Sequence, residues 1–183
     1  MRTVLKSPVR ENCTPGSVRG RLGNWPSYLH DGMDALVTSI AEIRKCRAED
    51  FDAILPLLRQ LYPDKPVDLT LLQSAYDRSL ATDQRVFLCA VCDQRVIGFG
   101  TLSIKSNLLW CETLIGYVSD MVVDGAYRSR GIGSQILDRL VSWAREHGCR
   151  RIELNTAFHR KDSHIFYERR GFKSGAYFFS KSL

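Results

Sequence analysis

Of the chain's 183 residues, 44% are hydrophobic and 25% charged, the proportions of a globular domain of ordinary size with a core of its own. No apolar run approaches the length that crosses a bilayer; the longest, Val86 to Val91, is strand-sized. The formal net charge of +6 comes without a long or aromatic-interleaved Lys/Arg run, which argues against nucleic acid and membrane surfaces and for a phosphate-rich small molecule.

Residues 1–32 carry half of that net charge and hold Pro8, Pro15, Gly16, Gly20, Gly23, Pro26 and Gly32 with no apolar periodicity. They read as a disordered or non-native extension, with the domain running from Met33 to residue 183. The apolar region of a signal peptide is missing there. Ile40 to Cys46 alternates apolar and polar as an edge strand would. Ala48-Glu49-Asp50 opens a helix whose face carries Phe51, Ile54, Leu55, Leu58 and Leu61, and Pro63 and Pro66 end it. A second helix fits Leu69 to Ala81. Val86–Val91 and Val96–Ile104 are strands joined by the turn Cys92-Asp93-Gln94-Arg95, and Leu114–Val123 is a further strand. After Arg130 comes a long helix with Ile132, Ile136, Leu137, Leu140, Val141 and Ala144 on one face and Gly148 as a left-handed cap. Arg151–Leu154 reads as a strand, Asp162–Arg169 as a helix and Tyr177–Lys181 as a final strand. The order β-α-α-β-β-β-α-β-α-β points to an α/β fold on a mixed central sheet flanked by helices.

The six cysteines, at 13, 46, 89, 92, 111 and 149, are too sparse for a secreted disulfide scaffold. Cys89 and Cys92 form a CxxC, but on a strand they point to opposite faces, which suits neither a redox pair nor zinc. No second CxxC or His pair completes a metal set. The sequence therefore predicts no metal, and free thiols in a reducing cytoplasm.

The most specific segment is Val122-Val123-Asp124-Gly125-Ala126-Tyr127-Arg128-Ser129-Arg130-Gly131-Ile132-Gly133-Ser134. Glycines at 131 and 133 admit a ligand close to the backbone, and the helix that starts there offers unpaired N–H groups and partial positive charge. Arg128 and Arg130 add cations at the same corner. The combination is an anion cradle. A P-loop would need Lys after the glycines, and a dinucleotide turn would need a third Gly where Ile136 stands.

What remains, Arg128-Ser129-Arg130-Gly131-Ile132-Gly133, resembles the acyl-CoA pyrophosphate motif of GNAT acetyltransferases. A second segment strengthens the resemblance: Arg160-x-Asp162-Ser163-His164-x-Phe166-Tyr167, followed by Gly171-Phe172, is similar to the Arg-x-Asp-Ala-His-x-Phe-Tyr helix of small bacterial GNAT proteins. Together the motifs cover roughly residues 40–183. Arg160 stands where the commoner pattern has Asn, and Ser163 replaces Ala.

The resemblance implies a GNAT-like, mostly antiparallel sheet and acetyl-CoA as cosubstrate. Met121, Val122 and Val123 would end a strand that splays from Arg151–Leu154, with the pantetheine arm between them and a backbone N–H near Met121 or Val122 facing the oxyanion. Arg128 to Ser134 would hold the pyrophosphate, and Asn155 would meet the pantetheine. Tyr167 would protonate the departing thiolate. For the general base Asp120 and Glu112 are the candidates, each with the alternative of a solvated or salt-bridged carboxylate; His159 and His164 lie close, with capping or packing the plainer role for His164.

The implied activity is transfer of acetyl from acetyl-CoA to a primary amine of a small molecule, in a ternary complex. Proteins with this helix resemble aminoglycoside and aminoalkylphosphonate acetyltransferases. Acetylation of a protein N-terminus or lysine, and a non-catalytic acyl-CoA sensor, are the alternatives. A homodimer is left open. Acceptor-side carboxylates at Asp64, Asp68, Asp77 and Glu112 are balanced by Lys65, Arg78 and Lys105, so composition does not choose the amine.

Overall fold

A computed structural model describes residues 41–106 and 113–181; the expectations for residues 1–32 and for Glu112 lie outside them. The elements are β1 (Glu42–Lys45), α1 (Phe51–Leu61), α2 (Leu69–Leu80), β2 (Arg85–Cys92), β3 (Arg95–Lys105), β4 (Leu114–Val123), α3 (Ile132–Glu146), β5 (Cys149–Leu154) and α4 (Lys161–Arg169). The strands lie in sequence order, β1-β2-β3-β4-β5. The first three pairings are antiparallel and β4–β5 is parallel, so the sheet is mixed and mostly antiparallel as expected.

Each face of the sheet buries its own cluster, because successive strand residues point to opposite sides. On one face Leu88, Ala90, Leu102 and Val118 meet Ile132, Ile136, Leu137, Leu140 and Ala144 of α3. On the other, Cys89, Phe99 and Val122 meet Phe51, Ile54 and Leu57 of α1 and Tyr76 of α2. The CxxC is split accordingly, Cys89 on the second face and Cys92 on the first. Pro56 sits inside α1 on its exposed side, where water can bond the carbonyl it leaves unpaired.

The α3 helix lies close because Gly100 has no side chain. A Cβ there would stand 2.6 Å from Ile136 Cγ2 and 3.5 Å from Met121 Cγ. The strand pairing shifts at the same level: Thr101 faces Ser119 and Phe99 faces Val122, so Asp120 and Met121 together oppose Gly100. This is a β-bulge, and Asp120 bears its strain at φ 26°.

One expected element is corrected. Residues 177–181 carry no strand pairing, and Tyr177, Phe178 and Phe179 are exposed. Their composition suits a strand, but a strand needs a partner for its backbone groups, and β5 ends the sheet among the described residues. The observed order therefore stops at α4. The other differences are of one to three residues at element ends, with Ala48–Asp50 forming a 3₁₀ turn ahead of α1.

Candidate active site

β4 and β5 pair from Leu114 with Cys149 to Val118 with Leu154, and there the pairing stops. β4 runs on to Val123. Ser119, Asp120, Met121, Val122 and Val123 therefore have β3 on one side and no strand on the other among the described residues. A gap beside an extended backbone is a place for a strand-like ligand. Val122 turns its side chain into the core at 6% exposure, while Met121 and Val123 are half-buried against the α3-side cluster.

The turn after β4 leads into the anion corner. Asp124 caps it by accepting from the Ala126 N–H at 2.9 Å. Arg128 Nε donates to the Val123 carbonyl at 3.0 Å, which pins that side chain across the corner. Ser129 and Gly131 have φ of 61° and 80°, and Gly131 is the N-cap of α3. Nothing lies within 4 Å of where a Gly131 Cβ would be, so the helix start is open. The first intrahelical bond there is Gln135 N–H to the Gly131 carbonyl at 3.1 Å. The earlier amides of Ile132, Gly133 and Ser134 are those a helix cannot satisfy from within. Ile132 itself is buried, so its contribution to the corner is backbone alone. Arg130 stacks over the Tyr127 ring at 5.4 Å. The composition of the corner fits a diphosphate: exposed cations, a left-handed glycine and a helix N-terminus.

Gly133 joins this corner to α4. A Cβ on it would meet Val123 Cγ2 at 3.7 Å and Phe166 Cζ at 3.8 Å. Phe166 and Tyr167 pack against the cluster that also holds Met121, Val123 and Leu154. The Tyr167 ring meets Phe166 at 5.1 Å and Phe172 at 5.6 Å. Its ring is half-buried and its hydroxyl reaches solvent, since no buried side-chain oxygen among the described residues lacks a partner and this one has none. Burial pushes the phenol up to about 12, with the nearby charge of Arg160 pulling the other way.

Asp120 is on the far side of β4, toward α1. Tyr62, just past the end of α1, donates its hydroxyl to Asp120 Oδ1 at 3.0 Å. Burial, then the charge of Asp120, push Tyr62 up to about 12. Tyr117 stands nearby: burial and the charges of Asp120 and Glu153 raise its phenol, and the neighbouring Asn155 side chain opposes them. Asn155 is thus beside Tyr117 at the end of β5. Lys105 lies over the Tyr117 ring at 3.2 Å and Lys65 over the Tyr62 ring at 5.7 Å. This wall of two tyrosines, one carboxylate and two lysines can receive an amine.

Two of the expected acceptor carboxylates are used locally. Asp68 caps α2 through the Leu71 N–H, and Asp77 accepts from Gln73. His164 Nε2 lies 3.0 Å from the Ala157 carbonyl, a loop-bracing position. Sequence reading missed Tyr62 and Gln60, whose amide spans Asp124 Oδ2 and the Gly125 N–H at 3.0 and 3.1 Å. No local signal marks either residue, because their partners lie 58 to 65 residues further along the chain. A separate grouping, Cys46, Asp50 and Cys89, has its donor atoms within 4.8 Å of one another. Its carboxylate is already engaged by Arg44 and the Arg47 N–H.

The family model described as "Acetyltransferase (GNAT) family" matches residues 43–172. An aminoalkylphosphonate N-acetyltransferase of Salmonella typhimurium is 29% identical over 147 residues, 80% of this chain and 94% of that protein. A glucosamine 6-phosphate N-acetyltransferase of Trypanosoma brucei brucei is 28% identical over 135 residues, 73% of this chain and 89% of that one. The solved structure of an aminoglycoside N-acetyltransferase in complex with CoA superposes with a TM-score of 0.68 at 22% identity, covering 78% of this chain and 95% of the other. At that identity the likeness is one of fold.

Proposed function

Because this chain belongs to the acetyltransferase (GNAT) family and is an acyl-CoA-dependent N-acetyltransferase, we propose that it moves acetyl from acetyl-CoA to the primary amine of a small molecule, in a ternary complex, using Asp120, the Met121–Val122 backbone and Tyr167. The observation that carries the reading is the gap beyond Val118 and Leu154. It opens between the Gly131 corner, Tyr167 and the Asp120 wall, so one ligand arm can run from the anion corner to the amine.

Acetyl-CoA supplies the activated acyl group; the chain's own residues do the rest. The amides of Ile132, Gly133 and Ser134, with Arg128 and Arg130, hold the diphosphate. The free edge of Ser119–Val123 pairs with the amides of the arm, and Asn155 meets it from β5. Asp120 accepts the proton of the acceptor ammonium, since only the neutral amine attacks. A backbone N–H near Met121 or Val122, at the bulge, donates to the developing oxyanion. Tyr167 presents its hydroxyl to the departing sulfur. A phenol near 12 is a weaker acid than a thiol near 8.5, so full transfer of its proton to the thiolate is uphill. Tyr167 therefore acts mainly as a hydrogen-bond donor to the thiolate, with the charge of Arg160 helping it.

The two relatives named above act, by their names, on amines that also bear a phosphonate or phosphate. Lys105 over Tyr117 and Lys65 over Tyr62, the tyrosines on which the charge of Asp120 bears, suit an acceptor of that double character. The test is thiol release from acetyl-CoA across aminoalkylphosphonates, amino-sugar phosphates, aminoglycosides, simple alkylamines and peptides. Release with one small-molecule class supports the proposal. Release with peptides alone would transfer the activity to protein acetylation, and tight acetyl-CoA binding without release from any amine would mean an acyl-CoA sensor.

A further inference from the structure

Arg160 directly precedes α4, seven positions before Tyr167, yet its strongest contacts are with α1. Nη2 donates to the carbonyl of Leu61, the last residue of α1, at 2.6 Å. The guanidinium carbon stands 5.6 Å from the centre of the Tyr62 ring. Tyr62 in turn donates to Asp120 Oδ1. Three segments remote in sequence meet through these contacts: the start of α4, the end of α1 and the bulge of β4.

Each contact has a physical reason. The last carbonyls of a helix have no partner within it and carry partial negative charge, so a cation there is favourable. Arginine can bond a carbonyl through one arm while its plane lies over an aromatic ring, which lysine cannot reproduce. Asp120 stands at φ 26°, a conformation a non-glycine residue keeps only when its surroundings hold it. The Tyr62 hydroxyl is the hold on its side chain.

We propose that Arg160 is a positioning residue for the acceptor: it fixes the end of α1 so that Tyr62 keeps the Asp120 carboxylate aimed at the incoming amine. The inference rests on Asp120 serving the acceptor, as proposed above. Through Arg160 the helix that presents Tyr167 and the wall that receives the amine move as one piece, so the donor to the leaving sulfur and the acceptor of the ammonium proton stay in register. The positive charge of Arg160 bears on both tyrosines and lowers each phenol against the effect of burial.

The experiment compares wild type, Arg160→Gln, Tyr62→Phe and the double variant, measuring acceptor kcat and KM together with the acetyl-CoA dissociation constant. Each single variant is expected to lower acceptor kcat/KM by about tenfold, the effect of roughly one hydrogen bond, mainly through KM. Acetyl-CoA affinity should stay within about twofold, and the double variant should be little worse than the poorer single one, because both act on the same carboxylate. Multiplying losses would overturn the proposal, since the residues would then act independently. A loss of acetyl-CoA affinity matching the loss of kcat/KM would also overturn it, by assigning Arg160 to the cofactor side. Should Arg160→Gln not fold, Arg160→Lys carries the same comparison, keeping the charge and losing the fork. Wild-type protein that releases thiol with no amine would defeat the functional reading itself, a different result from either.

Discussion

The backbone N–H of Phe172 donates to the carbonyl of Tyr167 at 3.1 Å, and the two rings meet near edge-on with centres 5.6 Å apart. Gly171, at φ 84°, donates to Glu168 at 3.0 Å between them. These crossed bonds are a Schellman ending, and the ring contact is the apolar pair that accompanies it. The Phe-Tyr-x-x-x-Gly-Phe spacing thus has a mechanical meaning: the cap locks the last turn of α4, which carries Tyr167. Gly171→Ala has open space for its methyl, so its cost is the left-handed backbone alone, about 1–2 kcal/mol. The thermal midpoint should fall by roughly 2–8 °C, and Gly171→Asn by less. An unchanged midpoint for Gly171→Ala would mean the turn does not need this conformation.

Tyr167→Phe keeps both ring contacts and removes only the hydroxyl. Acetyl-CoA affinity and folding should survive. General acid–base groups contribute about 10²–10⁴-fold, and a donor near 12 facing a fair leaving group belongs at the low end, so kcat should fall about 10²-fold. Wild-type turnover would return Tyr167 to a packing role.

Gly131 separates charge from backbone at the anion corner. Gly131→Asn tolerates the left-handed region and adds bulk without charge, so it should lose less acetyl-CoA affinity than a charged substitution does. Gly131→Glu has space for its side chain but brings an anion to the helix start, and should weaken binding by tenfold or more, about 1.4 kcal/mol. Isothermal titration of the two folded variants decides it; equal affinities would remove the diphosphate from this corner.

The glycine turn into α3 and the end of α4 could be read from sequence because each is contiguous: strand, turn, glycines and helix start follow one another between Val122 and Ser134, and the Schellman ending spans the six residues Tyr167 to Phe172. The contacts around Asp120 could not. Tyr62 finds Asp120, Gln60 finds Asp124 and Arg160 finds Leu61 at separations of 58, 64 and 99 residues, and no local pattern announces those meetings. The bulge was hidden for a related reason: Gly100 looks like any strand glycine until α3 and two residues of β4 are set against it. At Tyr177–Lys181 the residue pattern is strand-like, but pairing is a property of the neighbour, and the pattern cannot supply one.

Gly100→Ala tests that packing. The new methyl would stand 2.6 Å from Ile136 Cγ2, too close without movement of α3 or the strand. Overpacking of this kind costs about 1–3 kcal/mol. Because the same site backs Met121, turnover should fall together with the thermal midpoint. A variant as stable and active as wild type would show that α3 can draw back freely.

Asp50 provides the pH test. At 6% exposure its oxygens accept two bonds from Arg44, at 2.7 and 2.8 Å, and one from the Arg47 N–H at 2.7 Å. The hydrogen-bonded guanidinium of Arg44 holds this carboxyl below the usual carboxylate range, outweighing burial, and the Arg47 N–H adds to it. Since the folded value lies below the unfolded one, the unfolded chain takes up the proton first as pH falls. The stabilisation is therefore complete above the unfolded value near 3.9 and is lost as pH drops through the folded value. Asp50→Asn leaves Arg44 half-sheltered without its counter-charge. Removing one partner of a buried pair costs about 3–5 kcal/mol, and the partial exposure of the Arg44 side chain puts the cost at the low end. At pH 7 the variant should melt several degrees below wild type. Between pH 5 and pH 3 the wild-type midpoint should fall more steeply than the variant's, so that the two converge. Midpoints measured by calorimetry without acetyl-CoA read this directly, and a gap of constant size across that range would mean that Asp50 titrates alike in both states.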